Sequence, residues 1–303
     1  MKTIEDIFKR VKSHQNLIDE GWNKNQICSM VDRCSIVKLR RGIFVSSKFL
    51  SELKPWEKSA LDVCALFLRS PGLVFSHQSA ALLLGLDLIK QPEKIHIYRA
   101  PTSRGSRKQV VCHPRLTSDT PVMSTSIGAT CTNVPLTLID LATSLPFQEA
   151  VVVADSALRK GLISLQDLEL SMMGFKRKNK TKVHRVAQAV SNKSESAGET
   201  LTRLILDDLG IHYFEQYWVP GFAYRVDFFL PDYGIIIEFD GASKYSMNGN
   251  VAEQIVQEKW REDDVSAAGH RVLRTRWEQV WEYPDIFRGK LLHLLKEYER
   301  SAA

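Results

Sequence analysis

The chain of 303 residues predicts a mixed α/β protein of the α+β type with two domains. Residues 1–170 have the pattern of helices with a few short strands among them. Residues 171–193 are strongly basic and contain no acid, which indicates a boundary. From residue 194 to 303 the pattern is helix, strand, hairpin, helix, strand, helix, which predicts a central mixed sheet flanked by helices.

Composition and charge restrict the class of protein. The sequence is 44% hydrophobic and 25% charged, as in soluble globular proteins. No apolar run has the length of a membrane span, and the charged start MKTIEDIFKR is not typical of a signal peptide, so we expect a cytoplasmic protein. The five cysteines have no CxxC spacing, which favours reduced thiols over a zinc site. The net charge of +6 favours an anionic partner such as nucleic acid.

The start of the first domain predicts a helical unit followed by a β-hairpin. In residues 14–45 two short apolar-periodic segments are separated at Gly21, and Asn23 is a suitable cap for the second. The stretch SIVKLRRGIFV then alternates apolar and basic residues around Gly42, as a β-ribbon does. A helix-turn-helix with a basic wing fits this pattern, and a plain helical hairpin beside a strand pair is the alternative.

The rest of the first domain predicts further helices and strands. Residues 56–90 indicate two helices separated at Pro71-Gly72, and residues 135–170 indicate a set of amphipathic helices. Strands are predicted in 94–101 and 110–116. His77, His96 and His113 have no mutual spacing that suggests a ligand set, so the sequence predicts structural or exposed histidines.

The basic segment 171–193 has two interpretations. It carries seven Lys or Arg residues, and it predicts either a solvated linker helix or a stripe that contacts a nucleic-acid backbone. We expect a combination of the two. The candidate DNA-contacting residues are Lys176, Arg177, Lys178, Lys180 and Lys182.

The stretch YRVDFFLPDYGIIIEFDG, residues 224–241, predicts a β-hairpin with carboxylates on one face. If Leu230 pairs with Ile235 across the Pro-Asp-Tyr-Gly turn, Asp227 lies opposite Glu238. The same register places Arg225 opposite Asp240, so that an ion pair between them is possible as well. The other face is then wholly apolar, with Val226, Phe228, Leu230, Ile235, Ile237 and Phe239.

Two carboxylates about 5 Å apart repel each other by about 3 kcal/mol at an effective dielectric constant near 20. A divalent cation, a shared proton, or nearby Arg and Lys residues must offset that repulsion. Glu199, at the start of the preceding helix, can reach the same acidic face. Such oxygen ligands suit Mg²⁺ or Mn²⁺, and Lys244 or Lys259 can supply a positive charge to a phosphate or water. Gln216 is either a donor to these acids or a surface residue.

The residues GETLTRLILDDLG, VDFFLPDYGIIIEFDGASKY, QEKWREDD and GHRVLRTRWEQV, in this order, resemble the Vsr-like branch of the PD-(D/E)XK nuclease superfamily. The similarity covers about 194–285 and implies metal-dependent hydrolysis of phosphodiester bonds. It implies Asp227 and Glu238 as metal ligands, with Glu199 supporting them. Asp240 stands where the superfamily usually has Lys, which leaves the catalytic Lys unassigned between Lys244 and Lys259.

The stretches EGWNKNQICSMVDRCSIVKLRRGIFV and VPLTLIDLATSLPFQEAVVVADSALRKGLIS resemble the AbiEi-type antitoxin domain, a winged-helix module. The resemblance places the winged helix at about residues 1–50 and implies DNA binding. It assigns Lys38, Arg40 and Arg41 to the wing.

Two functions follow for the whole chain. The first is a Mg²⁺-dependent endodeoxyribonuclease that its N-terminal domain delivers to DNA, most simply duplex DNA. The second is a DNA-binding regulator or antitoxin-like protein whose nuclease fold does not cut. A role in binding alone gains nothing from the Asp227–Glu238 repulsion, and replacing either acid would then stabilise the fold. A homodimer and a protein partner from a toxin–antitoxin or defence system are left open.

Overall fold

The computed structural model describes residues 2–98, 109–113, 119–220, 224–241 and 270–302. The chain divides into two compact units. The first unit contains residues Met1–Ala157 and Gly161–Gln188, and the second contains Leu158–Lys160 and Ala189–Ala303. Both units combine helices with sheets, so the predicted α+β class is confirmed.

The first unit begins with short helices around a small sheet. Its elements are α1 (Ile4–Phe8), β1 (Lys12–Ser13), α2 (His14–Asp19), α3 (Lys24–Asp32), β2 (Ile36–Arg40), β3 (Ile43–Ser46) and α4 (Ser47–Glu52). The strand order is β1-β3-β2, with antiparallel neighbours. The side chain of Asn23 accepts a hydrogen bond from the backbone N–H of Gln26 at 2.9 Å and caps α3, as predicted. Gly42 turns the β2–β3 hairpin at φ +76°, which explains why glycine stands there.

The next helix joins this small sheet to a larger one. Helix α5 (Pro55–Arg69) packs Leu61 and Cys64 against Ile7 and Val45 of the preceding elements. Three other buried side chains of the helix, Val63, Leu66 and Phe67, pack in the core of the second sheet. One apolar helix therefore contributes to two neighbouring cores of the first unit.

The larger sheet of the first unit has five strands. They are β4 (Val74–Phe75), β5 (Ile95–Tyr98), β6 (Val110–His113), β7 (Val122–Ser124) and β8 (Thr130–Thr132), and α6 (His77–Leu83) follows β4. The strand order is β6-β5-β4-β8-β7, and β5 runs parallel to β6. Ile95 and Ile97 are buried in the core, so the alternating His96 and Tyr98 face the other way.

Four helices complete the first unit. They are α7 (Val134–Ser144), α8 (Phe147–Arg159), α9 (Leu165–Met173) and α10 (Lys180–Ala187). Val183 and Val186 are fully buried, and α10 packs against α7 and α9. The segment predicted as a linker, 171–193, therefore lies within the first unit as far as Gln188. The basic composition of this segment did not predict a packed helix, although its two valines, three residues apart, give α10 an apolar face.

The second unit is built on a four-stranded mixed sheet. Its elements are α11 (Ala197–Asp208), β9 (Phe214–Trp218), β10 (Arg225–Leu230), β11 (Ile235–Asp240), β12 (Arg271–Arg276), a π-helical turn (Glu278–Glu282) and α12 (Pro284–Ala302). The strand order is β12-β11-β10-β9; β9, β10 and β11 are antiparallel, and β12 is parallel to β11. The charged helix predicted between β11 and β12 lies outside the described residues.

Helix α11 lies close to the sheet at Gly198. A Cβ atom at that position would be 2.0 Å from the ring of Phe239, so only glycine allows this approach. The approach brings the first turn of α11, with Glu199, to the end of the hairpin that carries the predicted acids. Among the helices that the structure describes, none has both the length and the apolar character needed to cross a membrane.

Candidate functional site

The hairpin has the register that the turn predicts. Leu230 pairs with Ile235 and Phe228 with Ile237. Beyond these pairs, Oδ2 of Asp227 accepts a hydrogen bond from the backbone N–H of Phe239 at 2.8 Å. The Asp227 side chain thus links β10 to β11 and is fixed in orientation by that bond.

The apolar face of the hairpin differs from the prediction at Val226. Val226 packs in a cluster with Val219 and Ile236. Side chains alternate along a strand, so Ile236 faces away from Ile235 and Ile237, which were expected to share the face of Val226. The neighbouring strand has a positive φ of +53° at Gln216, the position opposite Asp227 in the β9–β10 register. This backbone irregularity breaks the regular alternation of side chains, which the sequence pattern assumed.

Glu238 is buried in β11, at 7% exposure, and it has a cationic neighbour on the next strand. In the parallel β11–β12 pair, Glu238 is in register with Arg274, and Asp240 is in register with Arg276. Paired residues of adjacent strands project to the same side of a sheet. Arginine therefore contributes to the charge compensation that the sequence required for this acidic face.

Glu199 is the third residue of α11 and is 7% exposed. Its Oε1 accepts from the Ser196 hydroxyl at 2.8 Å, and its Oε2 accepts from the Glu195 backbone N–H at 2.8 Å and from Gln216 Nε2 at 2.7 Å. Burial raises the pKa of Glu199, and the hydrogen bonds from Glu195 and Ser196 oppose that rise. Gln216, predicted as a donor or a surface residue, is thus a donor to Glu199.

The remaining predicted residues of this site are two on the hairpin and two lysines that follow it in the chain. Arg225 is exposed at the start of β10 and forms an ion pair with Glu195. Asp240 ends β11 and is half-buried. Lys244 and Lys259 lie outside the described residues.

The predicted DNA-contacting residues are all in the first unit. Lys38 and Arg41 are exposed at the β2–β3 hairpin, whereas Arg40 is half-buried and lines a small cavity together with Asp62. Burial raises the pKa of Asp62, and Arg40 opposes that rise. The five predicted DNA-contacting residues of the basic segment are all exposed: Lys176, Arg177, Lys178, Lys180 and Lys182.

A histidine cluster in the first unit was not predicted. His77, His96 and His113 form, among the described residues, the one group of three potential ligands whose donor atoms all lie within 4.8 Å of one another. His96 Nδ1 lies 2.8 Å from His113 Nε2, and the rings of His77 and His113 stack with centroids 3.6 Å apart. The three histidines, which the sequence predicted to be structural or exposed, therefore lie together, although their spacing in the sequence gives no sign of it.

His77 is buried and His96 and His113 are half-buried, and this environment lowers the pKa of each ring. Burial, with smaller contributions from the neighbouring histidines, lowers the pKa of His77 to about 3. Burial also lowers the pKa of His96 to about 4, and it lowers the pKa of His113. Asp140 of α7, whose pKa burial raises to about 7, lies 3.6 Å from His77 Nδ1.

The signal that could have identified this cluster is weak. In the parallel β5–β6 pair His96 is in register with Val111, and His113 is two residues farther along the same face. Knowing the strand order would place His96 and His113 side by side. His77 reaches them only through the fold, because it begins α6 on a different part of the chain.

Comparisons with known proteins give limited information. No protein-family model matches the chain, and no curated protein matches it. Among solved structures, the catalytic domain of the homing endonuclease I-Bth0305I is similar to 33% of this chain and 95% of its own, with 24% identity and a TM-score of 0.28. The RV2827C protein from Mycobacterium tuberculosis is similar over 66% of this chain and 78% of its own, with 16% identity and a TM-score of 0.37. At these TM-scores neither similarity bears on function, which depends here on the residues themselves.

Proposed function

We propose that the second unit is a metal-dependent endonuclease of the Vsr-like PD-(D/E)XK type, which hydrolyses phosphodiester bonds in DNA. The observation that carries the proposal is the position of Asp227 and Glu238 on adjacent strands of one hairpin, each one residue beyond the Phe228–Ile237 pair, with Asp227 Oδ2 accepting a hydrogen bond from the backbone N–H of Phe239, the residue after Glu238. Glu238 is buried and Asp227 half-buried, where two carboxylates cost stability unless cations compensate them.

The donor set fits Mg²⁺ or Mn²⁺, the proposed cofactor. Both candidate ligands, Asp227 and Glu238, offer carboxylate oxygens, the hard donors that these ions prefer. The hydrogen bond from the Phe239 N–H to Asp227 Oδ2 orients the first of them. A bound divalent ion supplies charge stabilisation for the phosphate and lowers the pKa of a water molecule.

The other residues have supporting roles in the proposal. Glu199 accepts from Gln216 and so holds that amide beside the position of Asp227. Glu199 positions its neighbours, because its Oε2 accepts from Glu195 and Gln216 and its Oε1 from Ser196; Oε1 keeps one lone pair for a metal ion. Arg274, in register with Glu238, lowers the cost of burying that carboxylate. Lys244 and Lys259 are the candidates to contact the scissile phosphate.

The first unit is the proposed DNA-binding part. Its α1–α3 helices and β1-β3-β2 sheet suit a winged helix of the AbiEi type, with Lys38 and Arg41 exposed on the hairpin. The exposed basic residues of 176–182 add a second group of phosphate contacts. Exposed Lys and Arg contact the backbone phosphates of a nucleic acid, and duplex DNA is the proposed substrate because a helix-turn-helix module places its recognition helix in the major groove of a duplex.

The experiment that tests the nuclease is a cleavage assay on supercoiled plasmid, linear duplex and single-stranded DNA, each with Mg²⁺, Mn²⁺ or EDTA. We expect metal-dependent cutting that Asp227→Ala abolishes without weakening DNA binding. Asp232→Ala is the matched control, because Asp232 lies in the turn of the same hairpin and its side chain is 61% exposed. Cutting by the Asp227→Ala variant at the unmodified rate would reject the site assignment.

A second function, DNA binding without cutting, is favoured by one observation. Arg274 is in register with Glu238, so part of the acidic charge is compensated without a metal ion. This regulator or antitoxin-like protein would bind duplex DNA, would not cut any substrate in the assay, and would become more stable with Asp227→Asn. The nuclease hypothesis predicts metal-dependent cutting in the same assay.

A further inference from the structure

We propose that His77, His96 and His113 bind one divalent transition-metal ion of the zinc class, with Asp140 as a positioning residue. This site lies in the first unit and is separate from the carboxylates of the second. It does not depend on the proposed nuclease activity.

The donor atoms lie close to one another. All three imidazoles offer a nitrogen within 4.8 Å of the others, and His96 Nδ1 and His113 Nε2 are 2.8 Å apart. A tetrahedral ion with bonds of about 2.0–2.1 Å requires nitrogens about 3.3 Å apart. A separation of these two rings by about half an ångström therefore accommodates the ion.

The backbone holds the three rings in place. The Ser76 backbone N–H donates to the carbonyl oxygen of His96 at 3.0 Å, and the His96 N–H donates to the Ser79 hydroxyl at 2.8 Å. These two bonds fix the start of α6 against β5. His77, between the two serines, has a positive φ of +50°, a conformation that costs free energy in residues other than glycine and concentrates at functional sites.

The surroundings of His77 assign its ligand nitrogen. In the proposed site Nε2 is the ligand and Nδ1 carries the proton, because Nδ1 lies on the side of the Ser76 hydroxyl oxygen, at 3.1 Å, and of Asp140 Oδ2, at 3.6 Å. Tyr98 donates its hydroxyl to both oxygens of Asp140, at 3.0 and 3.1 Å, and holds that carboxylate in place. A carboxylate behind a ligating histidine is the usual support of a zinc site.

The chemistry of the donors selects the class of ion. Three neutral imidazoles suit Zn²⁺, Co²⁺, Ni²⁺ or Cu²⁺, whereas Mg²⁺ and Ca²⁺ prefer oxygen ligands. With three protein ligands, a tetrahedral ion keeps its fourth position for water or another small ligand.

The experiment uses the full-length chain without a histidine tag, freed of metal with a chelator. Zn²⁺ is titrated by calorimetry, and Co²⁺ is titrated by visible absorption. We expect one ion per chain with submicromolar affinity and intense Co²⁺ bands of a four- or five-coordinate site. The Asp227→Ala variant is titrated in parallel, so that ions bound at the second unit are recognised.

Matched variants identify the ligands. The pair His96→Gln and His113→Gln should abolish binding, and Asp140→Asn should weaken it about 10- to 100-fold. His293→Gln is the control, because the side chain of His293 is 74% exposed on α12. Equal binding by the double variant and by the control would overturn the assignment.

A measurement on the unmodified chain does not depend on how the variants fold. X-ray absorption of the Zn²⁺-loaded protein should show nitrogen ligands at about 2.0 Å with the multiple-scattering pattern of imidazole. An oxygen-only shell, or no stoichiometric binding at all, would leave a hydrogen-bonded histidine network and overturn the proposal. Plasmid cleavage by the double histidine variant, unchanged from that of the unmodified chain, would show that the two sites act independently.

Discussion

The acidic hairpin of the second unit and the histidine cluster of the first differ in how the chain assembles them. Asp227 and Glu238 lie on two strands that one turn joins, and that turn fixes the hairpin register from Leu230–Ile235 to Phe228–Ile237. His77, His96 and His113 come from a helix start and two parallel strands, and no single turn relates them. Side chains paired across a hairpin can thus be predicted from sequence, whereas side chains joined by a sheet order cannot.

The two groups also differ in how they tolerate burial. The histidines become neutral, because burial lowers the pKa of His77 to about 3 and of His96 to about 4. Asp227 and Glu238 are carboxylic acids on adjacent strands, and a cationic residue, Arg274, is in register with Glu238. We therefore expect the first group to prefer an ion that binds neutral nitrogens and the second to prefer one that offsets negative charge.

The largest expected effect separates the two groups directly. Glu238→Gln should lower Mg²⁺-dependent cleavage at least about a hundredfold, because it removes charged coordination worth several kcal/mol in the transition state. Zn²⁺ affinity of the same variant should stay unchanged, and both quantities are measured on one preparation. Loss of Zn²⁺ binding with cleavage retained would contradict both assignments.

The close approach of α11 to the hairpin gives the next largest effect. Gly198→Ala places a Cβ 2.0 Å from the Phe239 ring, and we expect it to cost about 3 kcal/mol of unfolding free energy. Chemical denaturation measures the change, and adding Phe239→Leu should recover part of it. The control is Gly289→Ala on α12, where a Cβ meets no atom within 4 Å; it should stabilise by about 0.5–1 kcal/mol. Equal effects at the two glycines would mean that α11 does not hold Glu199 against the sheet.

Local signals predicted much of the fold. The Asn23 cap, the Gly42 turn and the Leu230–Ile235 register each depend on residues within a few positions of one another, and all three are confirmed. The α+β class followed from the order of such elements. These features could be predicted because hydrogen bonds and side-chain alternation act over short stretches of chain.

The errors share a different physical origin. Val226 packs with Val219 and Ile236 at a point where the adjacent strand β9 has an irregular backbone at Gln216, and no residue type in the sequence predicts that irregularity. The charge of 171–193 obscured the two buried valines of α10. The histidine cluster required the strand order β6-β5-β4, which depends on packing of the whole unit. Each error therefore concerns a tertiary contact, which overrides a local pattern.

Two tyrosines, one in each unit, donate hydrogen bonds to carboxylates that differ in exposure to solvent. Tyr98 donates to Asp140, which is buried, and Tyr213 donates to Asp207 at 2.6 Å, where the carboxylate side chain is 43% exposed. Tyr98→Phe should cost about 1–3 kcal/mol, because the buried carboxylate loses a donor that water cannot replace. Tyr213→Phe should cost less than about 1 kcal/mol, since water can solvate Asp207. Urea unfolding measures the loss of unfolding free energy in each variant. A larger loss for Tyr213→Phe than for Tyr98→Phe would contradict the burial of Asp140.

The smallest effect concerns the wing. Lys38→Ala and Arg41→Ala, both at exposed positions of the β2–β3 hairpin, should each weaken binding to any duplex by only a few-fold. The slope of log K against log salt should fall in magnitude by about 0.9 for each phosphate that the variant no longer neutralises. Fluorescence anisotropy at several salt concentrations measures this slope.

Two further variants are the controls. Arg40→Ala should leave that slope unchanged, because Arg40 lies beside Asp62 in a small cavity, and Lys90→Ala is the exposed control. A slope that is unaffected by Lys38→Ala and Arg41→Ala would exclude the wing from the DNA interface, and the basic residues of 176–182 would then be the next ones to replace.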